Sequence, residues 1–476
     1  MEGVNHAKNL QFYGGKIGGW IPLGSLVVFM LAFVITDHIS LKVFWAAGFF
    51  ALSLSFLFSK DKKQFSDVSL KGLTDPMFSV LVIIFLFAGI LSHLLRQSGL
   101  IDGLLWLSTT LGLDAAYLPL ITFLACAAIS TATGTAGGTV ATATPILLPL
   151  SLGLGCDPAL VLGAIISGAF FGDNLAPISD TTIASSLTME SEVPKVVKNR
   201  LKYSLIAGFI ASILYVIFGK MTTNQLPETL VEDAGGPKTL IMLVIPAIMV
   251  FLMIKGKDLV TVLLTCNLVA IILNITMGFM SLEFIINIEG PIVAGISGML
   301  SIIVFQIFLF ALLELTKASG NFEEFVKTAG SQCKTPRQAE LMVAFLTVMG
   351  TVATAINTVA IVMIGPVANK LFKKFNLDRR RGANILDGFS CATAGVLPYN
   401  ASMMVMFGLA VSSGVLSETF SVMSIPMYSF HAILLFVVFL ISIITGWDRR
   451  YEKVTGNHIE ILKNPPMNST TIKKTS

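Results

Sequence analysis

Charged residues are scarce in this chain of 476 residues. Asp, Glu, Lys and Arg make up only 13% of it, whereas soluble globular domains carry about 25% charged residues. Apolar residues make up 54%, and the mean hydropathy is +0.81. This composition excludes an ordinary soluble globular protein and predicts a polytopic helical membrane protein.

Cysteines and enzyme motifs are also scarce. The five cysteines are scattered, odd in number and mostly in apolar surroundings, so they indicate neither a disulfide framework nor a metal site. They are Cys126, Cys156, Cys266, Cys333 and Cys391, and we expect them to be small buried apolar side chains. The chain has no His-Glu-x-x-His pattern, serine nucleophile motif or phosphate loop, which disfavours an enzyme, and no cofactor is predicted.

Long apolar segments separated by short polar loops leave no room for a separate soluble domain. Crossing a bilayer takes about 20 apolar residues. Such segments occur near 20–39, 41–58, 77–97, 115–153, 157–190 and 199–218, and again near 238–254, 258–280, 290–316, 341–372, 383–412 and 425–446. The first follows a polar stretch without a cleavage signature, so we expect no cleavable signal peptide. The polar, basic tail from Asp448 to Ser476 is expected to be mobile.

The chain contains an internal repeat, in which residues of the first half recur in the second half at one constant spacing. This spacing equals the separation of Pro177 from Pro398. Several prolines, glycines and ionisable residues match at the same spacing, which indicates two repeated halves. The other matches are Ser98-Gly99 with Ser319-Gly320, Arg96 with Lys317, Pro145 with Pro366, and His93 with Glu314. The predicted organisation is a cytoplasmic segment 1–14, a first repeat 15–220, an extracytoplasmic linker 221–235, a second repeat 236–446 and a cytoplasmic tail 447–476.

The segment 115–153 predicts a re-entrant hairpin. Its two apolar arms of about 15 residues are short for a full crossing, and they flank a polar tip from Ser130 to Thr139. The alternative is two short helices joined outside the membrane. The expected fold is therefore an all-α polytopic membrane protein with two inverted repeats, each of five transmembrane helices and one re-entrant hairpin, with broken helices at mid-membrane. Such repeats are typical of secondary transporters and disfavour a channel.

The distribution of positive charge supports this topology. When both termini are placed in the cytoplasm, nearly all of the 32 Lys and Arg residues fall in loops on that side. The exceptions are Lys42, Arg96, Lys220 and Lys238. Cytoplasmic loops carry the excess of Lys and Arg, and two full crossings in place of the hairpin would break the pattern.

The stretch from Phe170 to Ser186 places two aspartates, Asp173 and Asp180, on either side of Pro177 within an apolar segment. Carboxylates at membrane depth are costly and mark ion pathways, and a helix broken there frees carbonyl groups that can bind a cation. Sodium, a hard cation, prefers oxygen ligands, and a carboxylate that takes up a proton when the cation leaves would couple the two ions. The alternative for each aspartate is a helix cap or a structural hydrogen bond.

Hydroxyl and amide groups cluster at the other predicted breaks. The first hairpin tip offers Ser130, Thr131, Thr133 and Thr135 as oxygen ligands, with close helix packing through small residues as the alternative. Gly168 and Gly172 are read as a packing pair. The second half has milder chemistry, with Asn357 and Thr358 in its hairpin and Tyr399, Asn400 and Ser402 at its break. The asymmetry predicts that the first half holds the ion and the second helps to hold a polar group.

Three further ionisable residues have two interpretations each. Asp387 either pairs with the neighbouring arginines Arg379, Arg380 and Arg381 or contributes to ion transfer. His93 and Glu314 occupy equivalent helices, where proton relay and interfacial anchoring are both open. The predicted relay set is His93, Glu314 and Asp387.

The motif Gly172-Asp173 with Pro177-Ile178-Ser179-Asp180-Thr181-Thr182 resembles the NhaC-like sodium/proton antiporter family of the ion transporter superfamily. The hairpin from Thr133 to Val140, Pro145 and Pro398-Tyr399-Asn400 are also similar, over nearly the whole chain. The resemblance implies a transporter of the bacterial inner membrane, and it implicates Asp173, Asp180, Thr181 and Thr182, with Asn400 opposite. Asn174, where members often have a basic residue, and Tyr399, where many have tryptophan, depart from the pattern at the predicted cavity.

Two functions are therefore carried forward. The first is sodium/proton antiport, with sodium and protons bound by Asp173, Asp180, Thr181, Thr182, Thr133 and Thr135. The second is sodium- or proton-coupled transport of a small organic solute such as an amino acid or carboxylate, contacted by Ser130, Thr131, Asn174, Asn357, Thr358, Tyr399, Asn400 and Ser402. The bilayer is the other expected partner, nucleic acid is not expected, and a homodimer is one option for the oligomeric state.

Overall fold

The structure is a computed structural model that describes residues 10–15, 17–35, 42–112, 114–223, 237–321, 324, 328, 333–417, 419–455 and 458–465. The described part of the first half consists of helices, namely α1 (Ile21–Ile35), α2 (Val43–Phe58), α3 (Lys62–Leu73), α4 (Pro76–Gln97), α5 (Leu100–Thr110), α6 (Leu118–Thr133), α7 (Ala136–Gly153), α8 (Pro158–Leu175), α9 (Asp180–Thr188) and α10 (Val193–Thr222). The second half contributes α11 (Val244–Ile254), α12 (Leu259–Thr276), α13 (Leu282–Ile285), α14 (Pro291–Ala318), α15 (Pro336–Thr354), α16 (Asn357–Lys374), α17 (Arg379–Ala394), α18 (Ala401–Ser412) and α19 (Phe430–Thr445).

The helix lengths confirm an all-α polytopic membrane protein. Among the described residues, eight helices are long and apolar enough to cross a membrane, or nine if the bent pair Val422–Tyr428 and Phe430–Thr445 forms one span. The spans Ala115–Thr133 and Ala136–Gly153 are among the eight. Helices α6 and α7 form a helical hairpin, but length does not separate a re-entrant hairpin from two crossings at this segment, so its re-entrant position in the membrane stays a prediction.

The backbone repeats at the offset found in the sequence. Helix α7 and helix α16 have the same length, and their first residues, Ala136 and Asn357, have the same separation along the chain as Pro177 and Pro398. Left-handed backbone also recurs at equivalent positions, with φ of 78° at Gly99 and 67° at Gly320, and 71° at Gly134 and 56° at Ala355. A pair of helices and two pairs of turns that recur at one offset are what a structural repeat predicts.

One pair of equivalent helices, α4 and α14, runs in opposite directions where the two pack. Helix α4 lies along α14, with Gly89 in the second half of α4 against Gly295 near the start of α14. The start of α4, at Asp75, is within 3.7 Å of Lys317 at the end of α14. This antiparallel packing supports the predicted inverted relation of the halves.

The centre of the molecule is formed by α8 and α17, whose residues are almost all buried. Helix α8 packs against α6 through glycines, because a Cβ on Gly168 would lie 2.3 Å from the carbonyl oxygen of Phe123 and one on Gly172 would lie 2.4 Å from that of Ala127. The packing interpretation of this glycine pair is therefore supported by the contacts. All five cysteines are buried and free, as expected.

Replacing Gly168 with alanine is expected to destabilise the protein. A methyl group at 2.3 Å from a backbone carbonyl forces α6 and α8 apart, and overpacking of this kind costs about 1–3 kcal/mol. The melting temperature in detergent is the measurement. Gly24→Ala is the matched control, since a Cβ there meets no neighbouring atom within 4 Å, and equal melting temperatures for the two variants would contradict the prediction.

The expectation of a mobile tail is wrong for the described residues after Asp448. They form an antiparallel hairpin of β1 (Tyr451–Thr455) and β2 (His458–Leu462). Glu452 binds Arg379 at 2.9 Å, and Arg449 binds the fully buried Glu340 at 2.6 Å. These pairs could not be read from the composition of the tail, because their partners lie far away along the chain.

Candidate functional site

Two helices are interrupted at prolines, where the sequence predicts breaks. Helix α8 ends at Leu175 and α9 begins at Asp180, with Pro177 between them. Helix α17 ends at Ala394 and α18 begins at Ala401, with Pro398 between them. Proline has no backbone N–H and cannot continue the helical hydrogen-bond ladder. Both breaks therefore expose helix ends inside the protein.

The tips of the two hairpins meet these breaks. Gly134, at the tip between α6 and α7, packs against Ile178 in the first break. Ala355, at the equivalent tip between α15 and α16, accepts a 3.0 Å hydrogen bond from the Asn400 amide in the second break. The Tyr399 hydroxyl donates a 2.9 Å hydrogen bond to the Val352 carbonyl. Each hairpin tip therefore contacts the helix break of its own half.

The two halves also touch each other at this point. The Thr358 hydroxyl, in the first turn of α16, donates a 2.5 Å hydrogen bond to Asp180 Oδ2. The backbone N–H of Thr181 binds the other oxygen of Asp180 at 2.9 Å. Asp180 is solvent-exposed, so it lies at the rim of the site.

Asp173 lies deeper than Asp180. Its exposed fraction is 3%, and its Oδ1 has no hydrogen-bond partner among the described residues. The charges of Asp180 and Asp387 act on it as neighbours, with Arg200 as the nearby cation. A buried carboxylate oxygen without a partner carries a large desolvation cost unless it binds a proton or a cation.

Arg200 is a central residue that the sequence analysis missed. Its side chain is fully buried and forms an ion pair with the fully buried Asp387. It also donates to the Asn174 carbonyl oxygen at 2.5 Å, to Thr182 Oγ1 at 2.9 Å and to Asn384 Oδ1 at 2.9 Å. The positive-charge count had placed Arg200 in the loop before α10, which is wrong.

A helical pattern in α10 could have identified Arg200. It shares a buried face with small residues four, seven and eleven positions on, namely Ser204, Ala207 and Ala211. Lys198 and Lys202 lie on other faces of the same helix. A cation that begins a buried stripe of small residues indicates an internal charge rather than a loop charge.

Asp387 binds Arg200 and not the arginines at the start of α17. Arg379 pairs with Glu190 and Glu452, Arg380 with Asp378, and Arg381 with Glu340. Thr182 Oγ1 donates to Asp387 Oδ2 at 3.2 Å, and the thiol of Cys391 donates to Asp387 Oδ1 at 3.1 Å. Asp387 thus has partners on both oxygens, in contrast to Asp173.

The other predicted ligands at the first hairpin tip and the first break have local partners, except Thr133. The Thr181 hydroxyl bonds that of Ser179 at 2.9 Å, and Thr135 caps α7 at the Gly138 N–H. Thr133 Oγ1 is buried without a hydrogen-bond partner among the described residues. Ser130 donates to the Ala169 carbonyl at 2.6 Å.

Four predicted substrate contacts also have local partners. Thr131 donates to Ala127 at 2.8 Å, and Asn174 Oδ1 accepts from Ser204 at 2.5 Å. Asn400 caps α18 at the Ser402 N–H. Asn357 is half-buried, with its amide 3.8 Å from the sulfur of Cys391.

His93 and Glu314 have partners of their own away from the breaks. His93 Nε2 lies 2.7 Å from the Ser412 carbonyl oxygen. Glu314 accepts from Lys71 at 2.7 Å, and this hydrogen bond is the main reason that the pKa of Lys71 is raised. The contacts favour the anchoring interpretation for Glu314.

The site offers oxygen atoms rather than a transition-metal cage. Among the described residues, no three His, Cys, Asp or Glu side chains form a group that could hold a metal ion. Carboxylate, hydroxyl and carbonyl oxygens of two broken helices are instead brought together, with one buried arginine. This chemistry suits a weakly held hard cation and a proton.

Broken helices that meet two hairpin tips around a buried carboxylate define a secondary active membrane transporter, not an enzyme. A family model described as the Na+/H+ antiporter family matches residues 8–220 and 231–456. The chain belongs to this family and is a sodium/proton antiporter by class.

Curated relatives and a solved structure that are similar to this chain carry different names. It is 24% identical over 463 residues to the malate-2H(+)/Na(+)-lactate antiporter of Bacillus subtilis strain 168, covering 92% of this chain and 96% of that protein. It is 26% identical over 196 residues to the Na(+)/H(+) antiporter NhaC of Alkalihalophilus pseudofirmus, covering 40% and 42%. The solved structure of Neisseria gonorrhoeae MtrF, from a class of antimetabolite efflux pumps, has 12% identity and a TM-score of 0.39, covering 90% of this chain and 97% of that chain.

Proposed function

We propose that this antiporter exchanges sodium for protons at Asp173, with Asp180 as a second carboxylate at the rim. One observation carries the proposal, namely the buried Asp173 oxygen without a hydrogen-bond partner among the described residues. Asp387, the other buried carboxylate near the breaks, is neutralised by Arg200. Asp173, by contrast, is a buried carboxylate that forms no ion pair among the described residues.

Competition for one carboxylate would couple the two ions. An uncompensated carboxylate in a low-dielectric site is stable when it binds either a proton or a cation, and it is unstable when it binds nothing. Asp173 lies near the C-terminal end of α8, where the helix dipole favours a cation. Thr133, Thr181 and Thr182 are proposed to supply hydroxyl oxygens near it.

Transport of an organic solute is the second candidate. The observation in its favour is the relative that spans 92% of this chain and is named a malate-2H(+)/Na(+)-lactate antiporter. The side chains proposed for solute contact weigh against it, since Tyr399 and Asn400 bind the backbone of the second hairpin tip. Asn357 remains as a candidate contact, as does the amide nitrogen of Asn174, which has no hydrogen-bond partner among the described residues.

The proposed location is the bacterial inner membrane, with both termini in the cytoplasm. Ion pairs support the assignment of sides, because they join loops that the charge count places together. Glu190 binds Lys373 at 2.7 Å, and Asp75 lies 3.7 Å from Lys317. The tail residue Asp448 makes a similar contact with Lys202, in the first half of α10. Burial raises the pKa of Asp448, but the hydrogen bond and charge of Lys202, with Tyr203 and Arg450, outweigh it, so this pKa is lowered overall.

Proteoliposomes containing a trapped pH-sensitive dye test the function. A sodium pulse without any organic solute is expected to change the internal pH, saturably, and to have less effect when external protons compete for Asp173. A potassium pulse and protein-free liposomes are the controls. Flux that starts only after addition of malate, lactate or an amino acid would replace the first candidate with the second.

A further inference from the structure

A basic pocket lies between the start of α10, the start of α17 and the C-terminal tail. Its volume is about 380 Å³, and it is lined by Lys195, Lys198, Asn199, Lys202, Arg380 and Arg450. Five of these six residues are cations, and no carboxylate lines the pocket. It is separate from the breaks that hold Asp173, so the proposed ion exchange leaves it unexplained.

The ion pairs around the pocket leave an excess of positive charge. Lys195 pairs with Glu192, Arg380 with Asp378, and Lys202 and Arg450 share Asp448. Lys198 is exposed and has no ion-pair partner among the described residues. Three carboxylates therefore face five cations, and an anionic group would complete the balance.

The surface that continues from Lys198 is apolar. Leu201, Leu205 and Phe209 follow at spacings of three, four and four residues, so they lie on the same face of α10 as Lys198. Their exposed fractions are 39%, 51% and 70%. An unpaired cation at one end of an exposed apolar helix face matches a molecule with an anionic head and a hydrocarbon chain.

We propose that this pocket, at the juncture of α10, α17 and the tail, binds the phosphate headgroup of an anionic phospholipid whose acyl chain lies along Leu201, Leu205 and Phe209. Basic pockets between membrane helices are suited to anionic headgroups. A free phosphate would satisfy the cations but would leave the apolar face unused. The lipid would join elements of both halves, because Lys198 belongs to the first and Arg380 to the second.

Native mass spectrometry of the purified full-length protein tests the proposal, with phosphatidylglycerol and phosphatidylcholine as probes. The protein is expected to retain phosphatidylglycerol in preference to phosphatidylcholine. Lys198→Gln is expected to weaken this retention about fivefold, the effect of one lysine close to an anionic surface. Lys257→Gln is the matched control, because Lys257 is exposed in the predicted cytoplasmic loop after α11 and lies outside the pocket.

Three results would overturn the proposal. The first is equal retention of the two lipids, and the second is equal loss of phosphatidylglycerol in Lys198→Gln and Lys257→Gln. The third is binding of inorganic phosphate that displaces phosphatidylglycerol at equal concentration, which would identify a site for a free anion. Melting temperatures of both variants, expected to equal that of the unaltered protein without added lipid, show that the difference is not caused by misfolding.

Discussion

Asp173→Asn is expected to abolish sodium-driven proton flux in proteoliposomes while the protein remains folded. Asparagine has nearly the same shape but cannot exchange a proton for a cation. The Asp173 side chain is 3% exposed, and its Oδ1 has no hydrogen-bond partner among the described residues. Neutralising it relieves a desolvation cost, so the melting temperature should be unchanged or higher. The expected loss of sodium affinity is about 100-fold or more, equivalent to about 2.7 kcal/mol.

Asp180→Asn provides a graded comparison at the same site. Asp180 is exposed, and the amide oxygen of asparagine can still accept the hydrogen bond from Thr358. We expect a higher half-saturating sodium concentration with some flux retained. Asp67→Asn, on the exposed face of α3, is the control and should transport normally. Normal sodium-dependent flux in Asp173→Asn would remove Asp173 from the site.

The sequence predicted the features that depend on local chemistry. A proline has no N–H for the helical hydrogen-bond ladder, so the breaks at Pro177 and Pro398 could be placed from the sequence. The rule is not general, because Pro145, Pro149 and Pro366 lie inside the continuous helices α7 and α16. The constant offset between the halves, which equals the separation of Pro177 from Pro398, also predicted a second hairpin equivalent to the first, and the structure has the two turns at Gly134 and Ala355. Ala355 adopts a left-handed backbone, with φ of 56°, although it is not glycine. The position of Ala355 in the repeat, and not its residue type, is the feature that indicates a turn there.

The sequence could not assign partners to the charges. Arg200 lies close in sequence to Lys195, Lys198 and Lys202, so a count of charges in loops treats all four alike. Asp387 belongs to the other half of the chain, and its pair with Arg200 forms only because α10 packs against α17. Glu340 meets Arg449 in the same way. Ion pairs across such separations depend on tertiary packing, which short-range patterns do not contain.

Arg200→Met is expected to destabilise the protein strongly, because it leaves Asp387 as a buried charge without its cation. Both side chains of the pair are 0% exposed. Breaking a buried ion pair by removing one partner costs about 3–5 kcal/mol. Asp387→Asn should also destabilise, since it leaves the arginine charge buried. The measurement is the melting temperature in detergent for the two single variants and for the double variant.

The double variant Arg200→Met with Asp387→Asn separates a structural pair from a transport site. Removing both charges removes the unpaired ion, so the double variant should lose less stability than the sum of the singles. If Arg200 serves to neutralise Asp387, the double variant should retain sodium-driven proton flux, because Asp173 is intact. If Asp387 itself carries an ion, a stable double variant would have no flux. Only the first result is compatible with Asp173 as the single exchangeable carboxylate in the core of the site.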